Sequence, residues 1–235
     1  MIRLEHTETI GWEAAIRGMR NPMNSWDKSD SHSCSTCGDC DNCIDYDNCP
    51  YGYDYLKTVV GPNDLDLMTR LRNAGTDHRK FMRMIAVYTD ITAPLYWWKE
   101  FDTYKVGTVA NSCSTMHKIA DKKFTMADFS CEHLYDFCPD CYTDSATVLR
   151  YTIGRLNYCR EKYLETKDKK YWWPLIQLLP SSYNQKRTVM LNYEVLANIY
   201  KSRKAHKLDE WHTFCDWIEG LPYSGLITGK EESND

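Results

Sequence analysis

Hydrophobic positions recur with helical spacing through the second half of the chain. Three stripes stand out, and each predicts a helix that packs through one face. They comprise Leu149, Ile153, Leu156 and Tyr163; Val195, Leu196, Ile199 and Tyr200; and Leu208, Trp211, Cys215 and Ile218. A short apolar segment, "KKYWWPLIQLLP", and a strand-like segment, "NQKRTVML", separate the first stripe from the second. The second half is therefore predicted to be mostly helical.

The first half mixes strand and helix patterns. "MIRLEHT" and "KFMRMIAVYTDIT" are rich in bulky and β-branched residues, which predicts strands. "TIGWEAAIRGMR" predicts a helix, and so does "PNDLDLMTRLRNAG", with Asn63 or Asp64 as its N-terminal cap and Gly75 at its end. Pro94 predicts the start of a further helix that runs to about Tyr104. The pattern as a whole predicts an α+β fold.

Composition and charge narrow the class of protein. Of 235 residues 43% are hydrophobic and 13% aromatic, which suits one folded domain with a substantial core. No apolar run reaches the roughly 18 residues of a membrane helix, and "MIRLEHTETIGWEA" lacks the pattern of a signal peptide. We therefore expect a cytoplasmic protein that does not enter a membrane. The net charge of −4 gives no indication of general nucleic-acid binding.

Five of the eleven cysteines lie in "CSTCGDCDNCIDYDNC". Two-residue spacers allow successive thiolates to face one ion, as zinc or iron–sulfur sites require. The candidate ligands are Cys34, Cys37, Cys40 and Cys43, with Cys49 as an alternate. The acidic, polar flanks fit a second interpretation, in which the segment is an exposed insertion that binds metal only opportunistically. "CPDC" at Cys138 and Cys141 is a weaker signal of the same kind.

Residues 96–118, "YWWKEFDTYKVGTVANSCSTMHK", combine aromatic residues with a dense run of hydroxyl, amide and thiol groups. Either this run is a polar loop that caps a helix, or its groups converge on a ligand. Trp97 and Trp98 fit the core or a subunit interface better than a surface on which a base stacks. No Walker loop, G-x-G-x-x-G element or Ser-His-Asp arrangement is present in the sequence.

The order of the elements resembles the flavin-dependent thymidylate synthase family. Three blocks carry the resemblance: the opening stretch, "LMTRLRNAGTDHRKFMRMIAVYTDITAP", and "LLPSSYNQKRTVMLNYEVLANIYKSRKAHKLDEW". The resemblance implies a helix-rich single domain around a small, mainly antiparallel sheet. This domain would span residues 1–224, with the cysteine-rich insertion at about 26–61 and a disordered tail at 225–235.

The family signature R-H-R-x-x-S-x-N-E-x-S-x-R aligns with this chain in two registers. Without gaps from Pro94, residues 99–101 fall on an R-Q-W-like element, with Glu100 in its middle. The triplet R-H-R then meets Thr103, Tyr104 and Lys105. In the same register Thr108 falls on the first serine, Asn111 on the glutamate, Cys113 on the second serine and Thr115 on the last arginine. A slip of one residue matches Asn111 and Ser114 in type and places Val109 on the first serine.

The chain departs from the family where the family's arginines hold anionic groups. Ile176 stands at the family's arginine before the Leu-Pro turn, and Arg83, with His78 just before it, stands near the flavin-contacting histidine. Asn192 and Arg203 keep their types. Each also has a structural interpretation, Asn192 as a helix cap and Arg203 as a partner of the helix dipole.

The candidate binding residues are therefore His78, Arg83, Glu100, Lys105, Thr108, Asn111, Ser114, Asn192 and Arg203.

The resemblance also implies ligands and assembly. It implies FAD as cofactor, a pyrimidine deoxynucleotide such as dUMP as substrate, and a homo-oligomer, a tetramer in that family. In the family, reduced flavin delivers hydride and folate supplies the carbon for C5 methylation, so no protein nucleophile is required. An alternative hypothesis is a non-catalytic nucleotide-binding or interaction protein that keeps the fold with a rewritten site.

Overall fold

The computed structural model describes residues 2–33, 58–134 and 143–230. The strands within these ranges are β1 (Arg3–Ile10), β2 (His32–Ser33), β3 (Thr58–Val59), β4 (Ala86–Pro94), β5 (Val109–Ser112) and β6 (Asn184–Asn192). The helices are α1 (Trp12–Arg20), α2 (Pro62–Asn73), α3 (Leu95–Phe101), α4 (Ser145–Thr166), α5 (Lys169–Gln177), α6 (Tyr193–Arg203), α7 (Asp209–Glu219) and α8 (Gly225–Thr228). The helix-rich α+β fold with a small antiparallel sheet is thus confirmed.

The main sheet has four strands in the order β1-β4-β6-β5. A second sheet pairs β2 with β3 antiparallel, with His32 opposite Val59 and Ser33 opposite Thr58. This small ladder lies within the predicted insertion, which therefore has regular structure at both of its described ends.

The chain divides into two compact units. Unit 1 comprises Met1–Glu5, Asp90–Thr103 and Ala110–Val189, and unit 2 comprises His6–Thr89, Tyr104–Val109 and Met190–Asp235. The prediction of a single domain stays a prediction.

The core of unit 1 forms around the long helix α4. Asp144 caps the helix by accepting a hydrogen bond of 2.6 Å from the amide of Thr147. The predicted stripe is buried at Leu149, Ile153 and Leu156. It packs with Ile119, Ala120, Phe124, Phe129, Cys159 and Leu175.

The core of unit 2 contains the other two predicted stripes. On α6 the four stripe residues Val195, Leu196, Ile199 and Tyr200 are buried, and on α7 Trp211, Cys215 and Ile218 are buried. Tyr193 is also buried and donates to the carbonyl of Pro222 at 2.6 Å. Burial raises the pKa of Tyr193 well above its usual value, so its hydroxyl stays protonated and acts as a donor.

Two sequence predictions on local structure were wrong. The strand predicted from Lys80 begins only at Ala86, because Arg79–Arg83 form a 3₁₀ helix in which the neighbours Phe81 and Met82 are both buried. A strand would point two neighbours to opposite faces. Neither Asn63 nor Asp64 caps α2. Their backbone amides instead donate to the carboxylate of Asp30, at 2.9 and 3.1 Å.

The predicted disordered tail begins too early. Residues 225–228 form α8, in which Leu226 and Ile227 are buried. The guanidinium of Arg72 donates to the carbonyls of these two residues at 3.2 and 3.4 Å. These bonds satisfy carbonyl groups that a helix end leaves without intrahelical partners. Residues 231–235 lie outside the described part of the chain.

A buried carboxylate anchors the first end of the insertion. Asp64 accepts hydrogen bonds from Arg20 Nε at 2.6 Å, Ser29 Oγ at 2.7 Å and Ser31 Oγ at 2.6 Å. The backbone amides of Asp30 and Ser31 add two more, at 3.2 and 3.1 Å. Residues 29–31 are therefore fixed to α2 by one fully buried side chain.

No helix in the described ranges is both long enough and apolar enough to cross a membrane.

Candidate functional site

Helix α6 positions two of the predicted ligand residues. Asn192 is its N-terminal cap, and its side-chain oxygen accepts the amide of Val195 at 2.9 Å. Arg203 is its last residue. Arg203 lies eleven positions after Asn192, so their Cα atoms are roughly 16 Å apart along the helix axis. The cap interpretation of Asn192 is confirmed, and it leaves a ligand contact of this residue as a prediction.

The side chain of Arg203 contacts two aromatic rings and donates a hydrogen bond to one of them. Its Nε donates to the hydroxyl of Tyr104 at 2.9 Å. Its Cζ lies 4.7 Å from the ring centre of Trp211 and 5.6 Å from that of Tyr104. Trp211 is fully buried, so the guanidinium rests on a fixed surface. Cation–π attraction adds to the hydrogen bond.

The loop of residues 104–108 lies along α6 in space. Gly107 has φ of +77°, and a Cβ atom added there would lie 2.7 Å from Nδ2 of Asn192 and 3.1 Å from Val195. Only glycine fits this position, both for its backbone conformation and for its close approach. The loop therefore contacts both ends of α6. Tyr104 contacts Arg203 at the last residue of the helix, and Gly107 lies beside Asn192 at its N-terminal cap.

The polar side chains of this loop differ in what they can offer a ligand. The hydroxyl of Thr108 donates to the carbonyl of Tyr104 and thus closes the loop on itself. Lys105 is exposed, and so is its neighbour Val106, at 89%. Lys105 can therefore bring a positive charge to a ligand beside α6, while Thr108 has a structural task.

The 3₁₀ helix Arg79–Arg83 packs on α6 from another direction. Arg79 lies 2.9 Å from Glu194, in the first turn of α6, and both side chains are mostly buried. His78, just before this 3₁₀ helix, and Arg83, its last residue, are exposed. Unit 2 thus brings six of the predicted residues to α6 or to segments that pack on it. They are His78, Arg83, Lys105, Thr108, Asn192 and Arg203.

The other three predicted residues belong to unit 1. The carbonyl of Glu100 accepts the hydroxyl of Thr103 at 2.7 Å, just after α3. Asn111 is exposed on β5. Ser114 accepts the amides of Met116 and His117, at 3.3 and 2.9 Å, so its hydroxyl shapes a turn. A ligand role for these residues stays a prediction.

Trp97 and Trp98 lie in the core, as the sequence favoured. Trp98 donates to the carbonyl of Gln185 at 3.0 Å, and the guanidinium of Arg187 lies 4.1 Å from its ring centre. Arg187 also pairs with Asp102 at 2.7 Å. Arg187, for which the sequence predicts no role, thus joins β6 to the end of α3 within unit 1.

The cysteines predicted to bind metal, Cys34, Cys37, Cys40 and Cys43, lie outside the described residues. Within the described part of the chain, no three His, Cys, Asp or Glu side chains form a group that could hold a metal ion. The described cysteines are free thiols: Cys113, Cys131, Cys159 and Cys215. Burial, with the nearby carboxylates of Asp216 and Glu219, raises the pKa of Cys215 to about 11, so this thiol is unreactive at neutral pH.

Sequence reasoning missed the residues that hold Arg203. The alignment compares Tyr104 only with the histidine of the R-H-R triplet, and the helical period places Trp211 in a core stripe. Periodicity reports burial and does not report which polar group a buried ring faces. The signal available was the pairing of an arginine at a helix end with a tryptophan early in the next helix.

Solved structures share this fold over nearly the whole chain. Flavin-dependent thymidylate synthase ThyX from Helicobacter pylori, complexed with FAD and dUMP, is 15% identical, with a TM-score of 0.62 over 97% of this chain and 98% of that one. The UMP/dUMP methylase PolB from Streptomyces cacaoi, bound with 5-Br dUMP, is 13% identical. Its TM-score is 0.57 over 97% of this chain and 95% of its own.

No protein-family model and no curated protein matches the sequence. At these low identities the likeness establishes the fold, and it confirms the fold that the resemblance implied.

Proposed function

We propose that this chain binds FAD and a pyrimidine deoxynucleotide such as dUMP, for C5 methylation or a related reaction. The observation that carries the proposal is the fixed guanidinium of Arg203 at the end of α6. The solved structures that share the fold of this chain include a thymidylate synthase complexed with FAD and dUMP. A guanidinium held in place binds phosphate or carbonyl oxygens with little loss of conformational freedom.

The chemistry of the donor groups around α6 suits a nucleotide. Arg203 and the exposed Lys105 supply positive charge, and Asn192 supplies an amide at the other end of the helix. Exposed Arg83 adds a second positive charge for the phosphates of a dinucleotide cofactor, and exposed His78, just before the same 3₁₀ helix, adds a hydrogen-bonding ring. FAD, when bound, supplies hydride transfer, and the residues of the chain bind and orient.

We also propose a homo-oligomer, a tetramer by resemblance. Its support is a set of exposed large hydrophobic residues on α4 and α5, which a second copy would cover. They are Val148, Tyr151, Tyr158, Leu164 and Trp173.

A second candidate function is nucleotide binding without catalysis. It is favoured by the groups that now serve local structure, since Thr108 closes its own loop and Ser114 caps its own turn. Thr103 and Ile176 also stand where the family has arginines. Such a protein would keep the nucleotide site around Arg203 and lose the affinity for flavin.

One experiment separates the two functions. The purified protein is examined for the visible absorbance of bound flavin and then titrated into FAD while flavin fluorescence is followed. The first function predicts a yellow protein, or saturable quenching on titration. A colourless protein that leaves FAD fluorescence unchanged would exclude the flavoenzyme and leave the second candidate.

A further inference from the structure

We propose that Tyr104 is a positioning residue for Arg203, and that with Trp211 it fixes the guanidinium before any ligand binds. The nature of the ligand rests on the function proposed above. The positioning itself rests only on contacts within unit 2.

The rings of Trp211 and Tyr104 form a rigid surface against which the guanidinium of Arg203 packs. Trp211 is fully buried, and its ring is packed edge-on by Phe214 at 5.8 Å and by Tyr104 at 6.2 Å between centres. His206 adds a further edge contact at 6.3 Å. Since Trp211 cannot move without disturbing the core, the face that it presents to Arg203 stays in one place.

The hydroxyl of Tyr104 sets the orientation of the guanidinium on these rings. A ring face attracts a guanidinium but does not fix its rotation about the stacking axis. The hydrogen bond from Nε to the Tyr104 hydroxyl, at 2.9 Å, fixes that rotation.

The position of Tyr104 in the family signature explains why Arg203 needs a positioning residue in this chain. In the ungapped register it replaces the histidine of the R-H-R triplet, whose flanking positions hold Thr103 and Lys105. A site with fewer arginines depends more on the orientation of each one that remains. The loop that carries Tyr104 is itself held by the contact of Gly107 with Asn192.

The first test needs no ligand. The Nε–H signal of Arg203 in a ¹⁵N-resolved NMR spectrum is assigned by its loss in Arg203→Lys. We expect slow exchange of this proton with water, and about fivefold faster exchange in Tyr104→Phe, the scale of one lost hydrogen bond. Tyr151→Phe, the same change at an exposed tyrosine in unit 1, should leave the signal unchanged. An unchanged exchange rate in Tyr104→Phe would overturn the proposal.

The second test uses dUMP and a double-mutant cycle. Tyr104→Phe should weaken dUMP binding about fivefold in the wild-type background and by less than about twofold in the Arg203→Lys background, because lysine has no Nε–H to fix. Equal losses in both backgrounds would show that Tyr104 acts independently of Arg203, and would overturn the proposal.

A wild-type protein that does not bind dUMP would reject the proposed nucleotide. The NMR result would still decide whether Tyr104 positions Arg203.

Discussion

At the scale of single residues, Asn192 and Arg203 each have a role in helix α6 and a contact with the loop of residues 104–108. Asn192 is a helix cap, as one interpretation predicted, and its amide also lies beside Gly107 in the loop of residues 104–108. Arg203 ends α6, as the dipole interpretation requires, and is also held by Tyr104 and Trp211. Tyr104 lies 99 residues from Arg203 in the chain. A contact of that range leaves no periodic signal, so the sequence could not predict it.

At this scale we predict the effect of Arg203→Lys. Lysine keeps the charge near the helix end but loses both the planar fork and the Nε bond to Tyr104. Affinity for dUMP should fall by roughly 1–3 kcal/mol, the scale of a charge-assisted hydrogen bond, as measured by equilibrium dialysis with radiolabelled dUMP. The control is Arg70→Lys, at an exposed arginine paired with Asp66. Equal affinity in Arg203→Lys and wild type would remove Arg203 from the site.

The periodic pattern predicted the buried faces of the helices well and the positions of their ends less well. The stripes of α4, α6 and α7 are buried as predicted, because burial of one face is what the helical period records. The ends depend on distant partners. The amides of α2 are capped by Asp30, which lies 33 residues before Asn63. The sequence around α2 alone could not show this.

At the scale of elements we predict that Asp64→Asn destabilises the protein by roughly 2–4 kcal/mol in urea unfolding. The buried carboxylate pairs with Arg20 and accepts four further hydrogen bonds, and an amide leaves that buried arginine without its ion partner. Asp66→Asn is the matched control on the same helix, since Asp66 is exposed. Equal losses for the two variants would contradict the role given to Asp64.

The same carboxylate should make stability depend on pH. Burial raises the pKa of Asp64, but hydrogen bonds from Ser31, Ser29 and Arg20 outweigh burial and leave the pKa below its usual value. Such a group adds stability above its unfolded-state pKa of about 3.9, and this stability is lost as pH falls through the lower folded-state pKa. The difference in unfolding free energy between wild type and Asp64→Asn should therefore be constant above about pH 5 and shrink below about pH 4. A difference that grows on acidification would contradict this assignment.

The fold class could be predicted because the order of the elements is more distinctive than any motif in the chain. The family signature matches poorly around Tyr104, yet the described chain takes the fold of ThyX with a TM-score of 0.62. The division into two compact units had no counterpart in the sequence, because the segments of each unit are interleaved along the chain. The metal site at the cysteines and the cytoplasmic location stay predictions.

At the scale of the whole molecule we predict an oligomer. Size-exclusion chromatography with light scattering should give a mass of about four times the 27.6 kDa of one chain. The physical reason is the exposed hydrophobic surface that includes Tyr151 and Trp173. A mass of one chain over the full range of protein concentration would contradict the assembly, and would leave the site around Arg203 untouched.

The most direct test of the central proposal is calorimetric titration of dUMP into wild-type protein saturated with FAD. Bound nucleotide would contact the guanidinium of Arg203, which Tyr104 and Trp211 hold in place, so we predict saturable binding with close to one dUMP per chain. The control is the same titration with deoxyuridine, which lacks the phosphate and should bind more weakly. Absence of binding heat with dUMP, both with FAD and without it, would contradict the proposed nucleotide binding and leave only the shared fold.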